Sequence, residues 1–113
     1  METNVVGTET VLAAMKSAGV SKIVFASSST VYSGLSPYGL SKQFCERLCE
    51  MSSKLDGVDT AVLRLFSVYG PRLRRDLAMN KLADTLRPDC RVFRVRGLAS
   101  KLSRDYTYAE DVA

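Results

Sequence analysis

The chain has 113 residues, 46% of them hydrophobic and 25% charged, the composition of a water-soluble chain forming one small domain or part of a larger one. No apolar run approaches the ~20 residues of a membrane span and no basic-then-apolar leader opens the chain, so no membrane contact is expected of it. The net charge of +4 is uneven: residues 1–69 balance six basic against six acidic side chains, whereas 72–104 carry ten basic and three acidic ones.

Residues 4–18 read as a helix, with Val5, Thr8, Leu12 and Met15 on one stripe and Gly19 as its stop. Lys22-Ile23-Val24-Phe25-Ala26 is a short run rich in β-formers, which predicts a strand buried on both faces as in a parallel sheet. Ser27 to Pro37 is small and polar and reads as a loop. Residues 38–55 form a second helix, whose apolar stripe is Leu40, Phe44, Leu48, Met51 and Leu55. Gly57 follows it, and Thr60 to Phe66 is a second buried strand. Helix, strand, helix, strand with short connections indicates an α/β fold with a parallel sheet. A right-handed crossover then sets both strands in one sheet.

The texture changes at Gly70-Pro71. An arginine-rich loop (72–75) precedes a helix at 76–87, short strands near 91–96 and 104–108, and a first helical turn from Glu110 to Ala113. The division this implies is 1–70 and 71–113. Both ends read as cut, because a sheet of two central strands leaves open edges on both sides.

Tyr38 and Lys42 form a Tyr-x-x-x-Lys pair near the start of the second helix, and spacing of i, i+4 puts both on one face. A free phenol is a poor base at neutral pH. A neighbouring ammonium favours the phenolate, and a phenolate so placed can take a proton from a sugar hydroxyl while hydride leaves the same carbon. The plain alternative is a surface tyrosine beside a surface lysine. Ser27-Ser28-Ser29-Thr30 follows a strand directly, where open α/β sheets hold ligands. The plain alternative there is a polar turn. Phe66-Ser67-Val68-Tyr69-Gly70-Pro71 occupies the equivalent place after the second strand, as a second polar loop, and the two loops with the Tyr38/Lys42 helix converge on one crevice. Arg104 opens Arg104-Asp105-Tyr106, where its planar fork could clamp a pyrophosphate.

Cys45, Cys49 and Cys90 are an odd set with no histidine in the chain. They read as free thiols in a reducing compartment, with no metal site. The basic stretch at 72–104 fits a small polyanion such as a sugar-nucleotide pyrophosphate. A nucleic-acid patch would want aromatic residues interleaved with the charges, so no nucleic acid is expected.

Five segments, in order, resemble the extended short-chain dehydrogenases of the NAD-dependent epimerase/dehydratase family. They are Asn4 to Thr8, Phe25 to Tyr32, Ser36 to Lys42, Leu63 to Arg72 and Arg104 to Ala113. Arg72 to Met79 looks most like the UDP-glucuronate 4-epimerase branch. The resemblance implies a partial Rossmann-like sheet, with 1–70 as the second half of the NAD-binding domain and 71–113 as the start of the substrate segment. It implies Tyr38 as acid and base, Lys42 on the nicotinamide ribose and Ser28 on the reacting hydroxyl. Asn4 and Phe66 match positions that contact NAD, and Ser67 and Arg104 match positions that contact a UDP-sugar. It also implies a cytoplasmic enzyme that interconverts sugars at C4 through a 4-keto intermediate, with a possible homodimer through helix 38–55.

Three departures stand beside the resemblance. No Gly-x-x-Gly-x-x-Gly or Gly-x-Gly-x-x-Gly occurs, so the strand–turn–helix that cradles a pyrophosphate on its amides is missing from these residues. Only nine residues separate Ser28 from Tyr38, fewer than the family usually has. The substrate segments expected after Ala113 are also missing. The alternative reading is therefore a non-catalytic remnant or interaction module of the same family.

Overall fold

The computed structural model of the protein describes residues 2–86, 88–89 and 103–113. Backbone contacts divide the chain into two units, Met1–Leu65 and Phe66–Ala113.

The first unit contains helix α1 (Glu2–Ala18), strand β1 (Lys22–Ser28), a 3₁₀ turn (Ser29–Tyr32), helix α2 (Pro37–Asp56) and strand β2 (Asp59–Leu65). The strands pair in parallel, in register from Lys22↔Asp59 to Ser28↔Leu65. Parallel pairing needs a long crossover, and α2 is that crossover. The predicted stripe of α1 faces inward, with Leu12 and Met15 buried and Val5 and Thr8 half-buried. Gly19 ends the helix in the left-handed region at φ 68°, where its N–H donates to Lys16 O at 3.3 Å and that of Val20 to Met15 O at 2.9 Å. This is the paired-bond helix stop that glycine favours. At the start of α2 the Ser36 Oγ accepts the Gly39 N–H at 2.9 Å and Pro37 takes the first helical position, a proline pre-set for helix behind a serine cap. Leu12, Met15, Cys49 and Val58 form the core, with Ile23, Phe25 and Leu48 packed against it.

Two features differ from the sequence-based expectation. The buried face of α2 is Gly39, Ser41, Cys45, Cys49 and Ser52, whereas Leu40, Phe44, Met51 and Leu55 of the apolar stripe are 47%, 53%, 54% and 77% exposed. Small side chains along this seam allow neighbouring elements to approach closely, because helix spacing follows side-chain size at the contact. The larger apolar residues lie on the flank. Among the described residues the strands, too, are covered on one face only. The helices pack on the side of Ile23, Phe25 and Ser27, and on the other side Val24 is 68% and Leu63 41% exposed. Ser27 and Ser28, predicted as loop, extend β1. The 3₁₀ turn follows because Ser28 caps it.

The second unit holds strand β3 (Ser67–Tyr69), helix α3 (Ala78–Asp84), strand β4 (Tyr106–Tyr108) and the single-turn helix α4 (Ala109–Val112). β3 and β4 pair in parallel, Ser67↔Tyr106 to Tyr69↔Tyr108, and the Tyr69 and Tyr108 rings lie 5.5 Å apart at 52°. The segment Phe66–Pro71, predicted as a polar loop, therefore contains a strand. Three residues are too few to show an alternation, and their partner lies far along the chain. Helix α3 is shorter than the predicted 76–87. From its first turn, Asn80 Nδ2 donates back to Leu73 O at 2.7 Å and Arg74 O at 3.0 Å, pinning the arginine-rich turn. Arg87, Cys90 and the strand predicted near 91–96 lie outside the described residues.

Candidate active site

The start of α2 lies against the turn that leaves β1. A Cβ on Gly39 would stand 2.7 Å from Thr30 O and 3.2 Å from Thr30 C, so only a residue without a side chain lets the two backbones meet so closely. Tyr38, next to this contact, is half exposed. One turn further along, Lys42 Nζ donates to Ala26 O at 2.9 Å and sits 4.9 Å from the centre of the Phe25 ring. That bond uses one of three ammonium donors and leaves two.

Ser28 is the last residue of β1. Its Oγ accepts the Thr30 N–H at 3.3 Å and the Thr30 hydroxyl at 3.0 Å. Both lone pairs are engaged, so its own hydrogen is left to donate. Asn4 Nδ2 donates to Ser41 Oγ at 2.9 Å, and that hydroxyl donates to Tyr38 O at 2.7 Å. The Asn4 carbonyl accepts from Thr8 Oγ1 at 2.7 Å and Cys45 Sγ at 3.2 Å. Four predicted residues, Asn4, Ser28, Tyr38 and Lys42, thus gather around the first turns of α2 and the carboxyl end of β1.

Sequence reasoning did not find the polar group behind them. Ser27, 4% exposed, donates its hydroxyl to Glu46 Oε1 at 2.5 Å. Arg64 donates to the same carboxylate from Nε at 3.0 and 3.3 Å and from Nη2 at 2.7 Å. The guanidinium holds the Glu46 carboxyl below the usual carboxylate range, against the opposing effect of burial. Arg64 also lies 4.9 Å from the centre of the Tyr32 ring. Two signals were present: Glu46 follows Lys42 by four residues on the same helix face, and Arg64 interrupts the apolar run of residues 61–66.

In the second unit Phe66, Ser67 and Arg104 line one cavity of about 370 Å³, walled by Leu73, Leu77 and Met79. An apolar wall with one cation, Arg104, and two hydroxyl-bearing residues, Ser67 and Tyr106, is a common make-up of a small-ligand pocket. Cys45 and Cys49 are free and buried. Among the described residues no cluster of His, Cys, Asp or Glu could hold a metal ion, and no helix is long and apolar enough to cross a membrane.

The chain is 32% identical over 127 residues to UDP-glucuronate 4-epimerase of Thermodesulfobacterium geofontis, a match covering all of this chain and 39% of the relative. The chain thus spans about 39% of that relative's length. A match longer than the chain's own 113 residues means that the relative carries extra residues inside the matched span. Among solved structures, UDP-glucuronic acid 4-epimerase from Bacillus cereus in complex with UDP-glucuronic acid and NAD is 31% identical, with a TM-score of 0.78 over 98% of this chain and 39% of that one. UDP-glucose 4-epimerase from Thermotoga maritima with UDP-glucose is 25% identical, with a TM-score of 0.84 over 98% of this chain and 41% of that one. The family model itself matches from residue 1 to residue 113, and the chain belongs to the NAD dependent epimerase/dehydratase family.

Proposed function

We propose that this chain supplies the acid/base part of an NAD-dependent isomerase that inverts a UDP-sugar at C4. The observation that supports the reading is that Lys42, one helical turn from Tyr38, bonds the Ala26 carbonyl two residues before Ser28, with Gly39 packed on the turn that follows. NAD, when bound, supplies the acceptor and donor of hydride at the sugar C4. Tyr38 takes the proton from the C4 hydroxyl and returns it to the same oxygen once the carbon is inverted. Lys42, with two ammonium hydrogens to spare, holds a ribose diol beside the phenol. Ser28 donates to the C4 oxygen and steadies the charge that grows there. Asn4 and Phe66 contribute to the cofactor side, and Ser67 and Arg104 grip the substrate in their shared cavity. These donors suit a ribose and a sugar. They do not amount to a pyrophosphate cradle, because the sequence contains no glycine-rich strand–turn–helix.

The same reading places the working protein in the cytoplasm, where buried free thiols such as Cys45 and Cys49 persist. It also makes a homodimer through residues 38–55 the natural cover for the exposed Leu40, Phe44, Met51 and Leu55.

A chimera tests the assignment. Residues 1–113 replace the matched span of the Bacillus cereus enzyme, and conversion of UDP-glucuronic acid is followed with NAD present. Turnover is expected in the chimera, with a loss of about a hundredfold or more in Tyr38→Phe while NAD stays bound. A folded, NAD-binding chimera without turnover favours the non-catalytic reading. A Tyr38→Phe chimera as active as its parent removes Tyr38 from the mechanism.

A further inference from the structure

Tyr38, Lys42 and Glu46 recur at every fourth residue, so they form one column on α2 facing the strand ends. The first two belong to the candidate site. The side chain of the third is only 11% exposed, and its two oxygens hold three donors from two residues. They take the Ser27 hydroxyl from β1 and the Nε and Nη2 donors of Arg64 from β2. Ser27 lies between Ala26, whose carbonyl receives Lys42, and Ser28.

We propose that Glu46 is a positioning residue: its carboxylate clamps α2 to the ends of β1 and β2 together, and so sets where Lys42 and Tyr38 stand relative to Ser28. Its catalytic meaning rests on the function proposed above, whereas the clamp itself does not. Only a carboxylate meets all three donors. A glutamine in its place has one oxygen, and its amide hydrogens face the guanidinium, donor against donor. In the orientation that keeps the Ser27 bond the bidentate Arg64 fork is lost, and in the flipped one the Ser27 hydroxyl no longer donates to it, so the charge-assisted clamp between α2 and the strand ends is weakened either way.

The test uses the 113-residue chain labelled with ¹⁵N-lysine and observed in the cold at mildly acidic pH, with the Lys42 ammonium signal as reporter. Glu46→Gln is expected to speed exchange of the Lys42 ammonium hydrogens by about tenfold, the loss of roughly one charge-assisted hydrogen bond. Glu50→Gln is the control. Glu50 sits on the same helix and bonds Arg47 and Lys54 at 2.7 Å each, so a general weakening of α2 would act through it as well. Exchange at Lys42 is expected to stay unchanged there. Should Glu46→Gln fail to fold, Arg64→Lys keeps the carboxylate but removes the fork, with a smaller acceleration expected. Equal exchange in the parent and in the variant that folds overturns the proposal, as does equal acceleration in Glu50→Gln. A chimera that remains active as Tyr38→Phe defeats the catalytic reading and leaves the clamp standing.

Discussion

Replacing Gly39 with alanine is a substitution whose sign is decided by one contact. The new methyl would sit 2.7 Å from Thr30 O, 3.1 Å from Ser36 Oγ and 3.2 Å from Thr30 C, against the ~3.5–4.0 Å of a comfortable contact. Two of these three atoms are backbone, so the strand-end turn must move relative to the helix. Overpacking of this kind costs about 1–3 kcal/mol, while alanine's better helix propensity returns at most about 1 kcal/mol. The net loss centres near about 1 kcal/mol and reaches about 2 kcal/mol, which lowers the folding equilibrium roughly 5-fold and at most about 30-fold. Gly7 is the matched control, since it lies within α1 with nothing within 4 Å of a built Cβ. There the same substitution should stabilise by about 0.5–1 kcal/mol. Urea denaturation followed by far-ultraviolet circular dichroism reads both variants. If Gly39→Ala is as stable as the parent, or gains stability as Gly7→Ala does, the close approach of α2 to Thr30 is wrong.

Three more outcomes follow from the same structure. Glu46 has a folded pKa below its unfolded one, so its stabilisation is complete above the unfolded value of ~4.3 and disappears as pH falls through the folded value. Denaturation midpoints measured from neutral to acid pH should therefore converge for the parent and Glu46→Gln as pH falls, and curves that stay parallel remove the linkage. With Cys90 replaced by serine, Cys45 and Cys49 should resist a thiol-specific disulfide reagent until urea unfolds the chain, because both are 0% exposed and burial pushes the Cys49 thiol up. Rapid labelling of the native chain would contradict that burial. The 113-residue chain by itself should bind NAD more weakly than about micromolar, since its sequence has no glycine-rich loop to hold the pyrophosphate, and a calorimetric titration showing tighter binding would refute this.

Much of the candidate site could be read along the chain because its signals are local. Tyr38 and Lys42 share a helix face by spacing alone, and Ser28 follows a strand marked by its β-forming run. Glu46 and Arg64 were harder to read, since their pairing joins residues eighteen positions apart and appears only when α2 folds back over the strands. The exposed apolar stripe of α2 was misleading for a related reason: periodicity reports that a helix has an apolar side, and does not say which side its neighbours take. Here the small seam of Ser41, Cys45, Cys49 and Ser52 is buried instead.

Element types, the parallel order of β1 and β2 and the Tyr38–Lys42 pair are consequences of residue spacing and propensity, which act within a few turns of chain. The contact of Gly39 with Thr30, the Glu46–Arg64 clamp, the pairing of β3 with β4 and the one-sided cover of the first sheet arose from the packing of distant segments. Such contacts depend on which surfaces reach each other in space, and no short-range pattern encodes that.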